Sequence, residues 1–156
     1  MEAPSALLEE AAHRLSVADH MLTMTYPLVK DPKLLLAVLE NLHRSSDAAL
    51  GAFALEEREH KRIPFVPLST FEDRHAAVSR YLAEKHGIPH DLLRALQEMK
   101  ELLAEHKTSP VEFTRNDQYV MCDEKYRVKT LGLDDLKGYL KRTKGLVSLV
   151  QAKVCA

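Results

Sequence analysis

The sequence predicts an all-α protein, an up-and-down bundle of about five helices with a small β-hairpin inserted before the last one. Three observations carry that prediction. Apolar residues recur at three- and four-residue steps through most of the chain, the period of a helix with one buried face. Helix-starting and helix-stopping residues fall between those stripes. A single stretch, about residues 110–130, breaks the period and is rich in Val, Phe and Tyr, which favour strands. A chain of 156 residues can bury one sizeable core, so residues 1–156 are expected to form one domain.

The first helix is expected over Ser5–Tyr26, with Leu8, Ala11, Ala12, Leu15, Ala18 and Leu22 inward and a turn at Pro27–Pro32. Asp31 before Pro32 reads as an N-cap followed by a first-turn proline, opening the longest helix, which reaches about Arg58. Its stripe is Leu35, Val38, Leu39, Leu42, Ala49 and Phe53. Prolines 64 and 67 then forbid both a helix and a central strand. Ser69 and Glu72 have the spacing of a capping box and start a third helix through Phe71, Val78, Tyr81 and Leu82, which stops at His86-Gly87. Ile88-Pro89 restarts a fourth with Leu92, Leu96, Met99 and Leu103 inward, antiparallel to the third and ending near Lys107. Strand-favouring residues from Val111 to Val128 are interrupted by the turn-prone pairs Asn116-Asp117 and Asp123-Glu124, which predicts a hairpin or meander. The last helix is expected from about Leu133 to Val154, with acidic Asp134 and Asp135 in its first turn and Lys153 near its end, both suited to the helix dipole.

Charge is divided unevenly along an otherwise ordinary composition. Residues 1–106 carry 12 Lys and Arg against 17 Asp and Glu, whereas residues 107–156 carry 10 against 6. Either the two parts neutralise each other in the fold, or the basic tail meets an anionic partner. Cys122 and Cys155 form no metal or redox spacing. Met1–Glu10 lacks the basic and apolar regions of a signal peptide, and no apolar run approaches the length of a membrane span, so a cytoplasmic protein without membrane contact is expected.

Four times a glutamate precedes a histidine by three residues: Glu10/His13, Glu40/His43, Glu57/His60 and Glu72/His75. Di-iron bundle proteins use that spacing on two helices, with two further glutamates facing a common core. Direction decides against a metal here. With Leu8, Leu15 and Leu22 inward, Glu10 and His13 turn outward, and Glu40/His43 also leaves its stripe. Glu57/His60 lies roughly 25 Å further along the same helix, out of reach of a shared ion. His13 and His43 could still stand at one height in an antiparallel hairpin, with Glu10, Glu40 and Asp47 near them, which keeps a ferritin-like metalloprotein as an alternative. The expectation is no cofactor and no metal, with solvated faces paired within each helix.

Arg80-Tyr81-Leu82-Ala83-Glu84-Lys85-His86 separates an Arg from a His by five residues on a bundle helix. In that spacing, and in the plan of four or five helices, the chain resembles the HEPN superfamily, helical dimers whose ribonuclease members use an Arg-x4-6-His motif across the subunit cleft. The resemblance implies a metal-independent ribonuclease in which His86 moves a proton of the ribose hydroxyl and Arg80 holds the phosphate. Arg115-Asn116 also looks like the start of such a motif, yet His106 is the last histidine of the chain. The structural alternative is a surface Arg80 and a His86 that favours the carbonyl end of its helix.

Arg115, Tyr119, Tyr126, Arg127 and Lys129 interleave cations with aromatics, and Lys141 and Arg142 follow on the last helix. Aromatic faces stack on unpaired bases while cations hold phosphates. The bland alternative packs both tyrosines onto the bundle. Glycine-rich phosphate loops, nucleophile elbows and zinc-protease motifs are absent from the sequence. A second apolar strip on the first helix, Val17, Met21 and Met24, asks for cover by the last helix or by a second copy in a homodimer. The function expected is therefore a non-enzymatic binding or regulatory module, contacting RNA or a nucleotide-handling protein through its basic tail, with ribonuclease as the alternative.

Overall fold

The computed structural model describes residues 3–109 and 111–154. The bundle is arranged around its second helix. Helix α1 (Pro4–His20) continues through a π-helical turn (Met21–Thr25) into one more α turn (Tyr26–Val29). It is followed by α2 (Lys33–Glu59). Helix α3 is likewise composite, Phe71–Ala77, a π-helical turn Val78–Leu82 and Ala83–His86. Helix α4 (His90–Thr108) leads to strands β1 (Val111–Arg115), β2 (Gln118–Cys122) and β3 (Val128–Gly132), and α5 (Leu133–Val154) closes the chain. No helix among the described residues is long and apolar enough to cross a membrane.

Helix α2 is central because its apolar stripe, and beyond Ser45 most of its surface, is buried by the other helices. Leu35, Val38, Leu39, Leu42, Ala49 and Phe53 are fully buried, as the stripe predicts. Beyond Ser45 the helix is buried nearly all round, since Ala48, Gly51, Ala52 and Ala54 supply a second, thin face. Small side chains let neighbouring helices approach closely, and α1, α3, α4 and α5 all pack on this rod. The two buried serines are satisfied: Ser45 Oγ donates to Ala11 O of α1 at 2.7 Å, and Ser46 Oγ to Leu42 O at 2.6 Å. At Gly51 the approach is so close that a Cβ would stand 2.9 Å from the Arg74 guanidinium of α3. That guanidinium is itself tied to Asp47 Oδ1 at 3.2 Å and Leu68 O at 2.9 Å.

Local signals place the element ends with small shifts. The turn expected at Pro27–Pro32 begins later, because the helix passes Pro27 and stops at Lys30, whose φ is 53°. Pro27 lacks the N–H an α turn would aim at Thr23, and its ring would press on that carbonyl. The π turn ahead of it, with Tyr26 N–H reaching Met21 O, is wider and accommodates the ring. Asp31 Oδ1 accepts from Lys33 N at 3.0 Å, so it caps α2 from one residue further back than expected. The capping of α3 moves by one residue: Thr70, not Ser69, is the N-cap, with Asp73 N donating to Thr70 Oγ1 at 3.1 Å. Glu72 pairs instead with Lys100 of α4. Helix α3 ends in a left-handed Gly87 (φ 69°), after which Ile88 N closes on Ala83 O at 2.8 Å and Ile88 is buried.

The β insertion is a three-stranded antiparallel meander with β2 in the middle, and β3 runs directly into α5. On α1, Ala12 and Leu15 are half-buried where full burial was expected, while Leu7 and Tyr26 join the core. Met21 and Val17 are half-buried and Met24 is exposed. Cys155 lies outside the described residues.

Replacing Leu42 with Ala should lower stability by about 2–5 kcal/mol in denaturant unfolding, because the fully buried site leaves a cavity. A loss below about 0.5 kcal/mol would show that α2 does not organise the core.

Candidate functional site

The meander is built as a two-faced platform. A two-residue turn, Asn116 (φ 50°) and Asp117 (φ 61°), joins β1 to β2 in the doubly left-handed geometry that matches strand twist. That turn sets the register: Phe113 opposes Val120, Thr114 opposes Tyr119, and on the other side Tyr119 opposes Leu131. Opposed residues share a face and neighbours alternate. Glu112, Tyr119, Met121 and Leu131 therefore face the bundle, and Phe113, Arg115, Val120 and Val128 face away from it.

The inner face is locked down. Met121 and Leu131 are fully buried. Tyr119 Oη donates to Glu112, and the same carboxylate accepts from His106 Nδ1 of α4 at 2.9 Å, so the Nδ1 carries a proton. The rings of His106 and Tyr119 meet edge to face, 5.9 Å between centroids. The hydrogen bond to Glu112, with burial second, pushes the Tyr119 phenol up to about 12. Tyr119 is thus a buried anchor and has no face to offer a base, which corrects its expected role as a ligand contact.

The outer face is exposed at its edges, while Val120 at its centre is buried. Phe113 keeps 47% of its surface and Val128 on the same face is exposed, while Tyr126 in the loop after β2 keeps 87%. Arg115 is exposed at the β1–β2 turn and Arg127 in the β2–β3 loop at the other end of the sheet, about 17 Å further along by strand rise. Tyr126 stands in the β2–β3 loop with φ 61°, held there by Asp123: its Oδ1 accepts from the backbone N–H groups of Lys125 and Arg127 at 2.9 and 2.8 Å, and its Oδ2 from the Arg127 guanidinium at 2.8 Å. The backbone N–H of Arg127 is the main cause holding the Asp123 carboxyl below its usual range.

The other cations of the tail disperse. Lys129 lies on the bundle side of β3, lining a cleft with Glu98, Glu101 and Tyr139. Lys141 and Arg142 are exposed on α5, Arg142 lying across Gly138. Lys144 pairs with Asp19 of α1 at 3.0 Å, so part of the tail does neutralise the acidic front half. Phe113 was missed by the sequence reading, although the two-residue turn alone puts it on the opposite face from Tyr119.

Arg80 and His86 have different contacts. Arg80 is exposed, 5.4 Å from the Tyr81 ring. His86 packs edge-on against Phe53 of α2, centroids 5.0 Å apart, with its Nε2 3.4 Å from Glu57 Oε1. No hydrogen bond or ion pair joins the two among the described residues.

The four Glu-x-x-His pairs separate in the same way. Glu10 pairs with Arg14 and Glu40 with Arg44, each one turn on. Glu57, its side chain only 5% exposed, pairs with Arg62 and stands beside His86, while His60 pairs with Glu56 at 3.0 Å. His75 Nε2 bonds Leu93 O at 2.8 Å. Among the described residues, no three His, Cys, Asp or Glu side chains converge on a metal position.

Comparison with protein-family models, with curated proteins and with solved structures gives no match to this chain.

His43, packed 4.9 Å from the Phe71 ring, and His86 both have pKa values held below the ordinary 6.5 by burial, partly offset by Asp47 and Glu57 respectively. Their neutral forms suit the folded state, so the unfolded chain binds more protons below that value. The stability is fully present above about pH 6.5 and is lost as pH falls from there through the folded pKa values. Melting temperature should therefore drop between pH 7.5 and 5, and a His43→Gln/His86→Gln double variant should flatten that drop. An unchanged slope in the double variant would assign the acid sensitivity elsewhere.

Proposed function

We propose that the chain is a non-enzymatic helical binding module that takes single-stranded RNA on the outer face of its β-meander. One observation carries this reading: Phe113 and Tyr126 are exposed aromatics flanked by exposed Arg115 and Arg127, on a sheet whose other face is fixed to the bundle. Unpaired bases stack on aromatic rings, while guanidinium groups hold the phosphates in pairs of hydrogen bonds. A rigid backing lowers the ordering cost of such a platform. Lys141 and Arg142 extend the cationic surface along α5.

The charge pattern predicts the character of the binding. Residues 111–132 hold four cations and four anions, whereas residues 133–154 hold five cations and two anions. Stacking therefore carries most of the affinity, and α5 adds a modest salt-dependent part. The RNA partnership implied by the HEPN resemblance is kept here as binding. Cleavage is not proposed, since Arg80 and His86 face different surroundings.

Anisotropy titrations with a short oligouridine should show binding at low salt, with log affinity falling against log salt at about −0.7 per phosphate contact. Phe113→Ala and Tyr126→Ala should each cost about 1–3 kcal/mol, and Arg115→Glu should weaken all sequences alike. Arg80→Ala should leave affinity unchanged. Absence of binding at low salt, or a neutral Phe113→Ala, would reject RNA and favour a protein ligand for this face.

A further inference from the structure

A cavity of about 600 Å³ opens where the end of α1, the β1–β2 turn and the start of α5 meet. Leu22, Pro27 and Leu133 give it apolar walls, and Lys30, Lys137 and Asp117 supply its charges. Lys30 reaches it because α1 ends there in a left-handed residue, its N–H closing on Tyr26 O at 2.7 Å. Lys137 is one turn into α5, on the same side as Leu133.

Neither ammonium has an ion-pair partner among the described residues, in contrast with Lys100, which pairs with Glu72, and Lys144, which pairs with Asp19. Asp117 is the one carboxylate among the lining residues, and its Oδ1 accepts from Tyr26 Oη at 3.4 Å. Asp134 and Asp135 belong to the first turn of α5 but do not line the cavity, and Asp135 Oδ2 is turned to Gly132 N at 2.9 Å.

We propose that this cavity binds a mononucleotide, its phosphate held between Lys30 and Lys137, its ribose hydroxyls donating to Asp117 and its base lying against Leu22, Pro27 and Leu133. Each part follows from the chemistry of the wall. Two unpaired ammonium groups offer donors and charge to a phosphate. An ionised carboxylate only accepts, so Asp117 repels a bare anion and welcomes O–H donors. The apolar walls suit a flat ring, and the volume lies in the range of small-ligand sites. The cavity shares no residue with the outer face of the sheet, so it stands apart from the RNA reading.

Calorimetric titration of the full chain with AMP, inorganic phosphate and adenosine tests the assignment. AMP should bind one to one and tighter than either fragment. Lys137→Ala and Lys30→Gly should each weaken AMP about tenfold or more. Glycine is chosen at position 30 because it is at ease at φ 53°, so the ammonium is removed without strain on the fold. Asp117→Asn should weaken AMP while strengthening inorganic phosphate. The remote Lys85→Ala should leave AMP affinity unchanged. Lack of AMP binding, equal affinity for AMP and inorganic phosphate, adenosine bound as tightly as AMP, or a loss in Lys85→Ala as large as in Lys137→Ala would each overturn the proposal.

Discussion

Burial of the second half of α2 on nearly all sides is the constraint from which the rest of the architecture follows. A helix with leucines on one face and alanines, serines and a glycine on the other can be surrounded, because its thin face lets neighbours come close while its thick face fills the space between them. Every other helix of the described chain touches it. Most polar groups that this burial would strand are paired inside, Ser45 with the α1 backbone and Glu57 with Arg62, while the buried His43 Nδ1 has no hydrogen-bond partner. The last two turns of α2 thus act as a polar clamp, where Arg58, stacked 4.5 Å from the Phe65 ring, also donates to Val66 O at 2.9 Å and ties the proline-rich loop down.

The meander depends on the bundle for its order. A small sheet has too little area to hold itself together, so its stability comes from whatever its inner face packs against. Here Met121 and Leu131 join the common core, and Glu112 links Tyr119 to His106 of α4. That anchoring commits one face to the bundle and leaves Phe113 and Val128 exposed on the other. The cavity at the turn end of the sheet arises from the same geometry, since β3 continues into α5 and brings Leu133 and Lys137 beside the end of α1.

Several residues illustrate how a pattern can be real and still misdirect. The spacing of glutamates and histidines does place them on shared helix faces, yet each carboxylate of Glu10 and Glu40 prefers an arginine one turn further on, whose fork is a better partner than imidazole. Ser69 and Glu72 match a capping box as well as Thr70 and Asp73 do, and a shift of one residue separates the two choices. Tyr119 and Tyr126 look alike in the sequence, seven residues apart, and end with opposite exposure.

By itself the sequence determined the helices, their order, the central stripe of α2 and the position of the β insertion, because period, capping and turn chemistry act over a few residues and are written locally. It also determined, through the two-residue turn at Asn116-Asp117, that Phe113 and Tyr119 occupy opposite faces. Only the tertiary structure decided which of those faces meets the core, that His86 turns to Phe53 and Glu57 instead of joining Arg80, and that Lys30 and Lys137 share one cavity. Those outcomes depend on which surfaces of distant segments are brought together, and burial and charge pairing between such segments leave no fixed spacing in the chain.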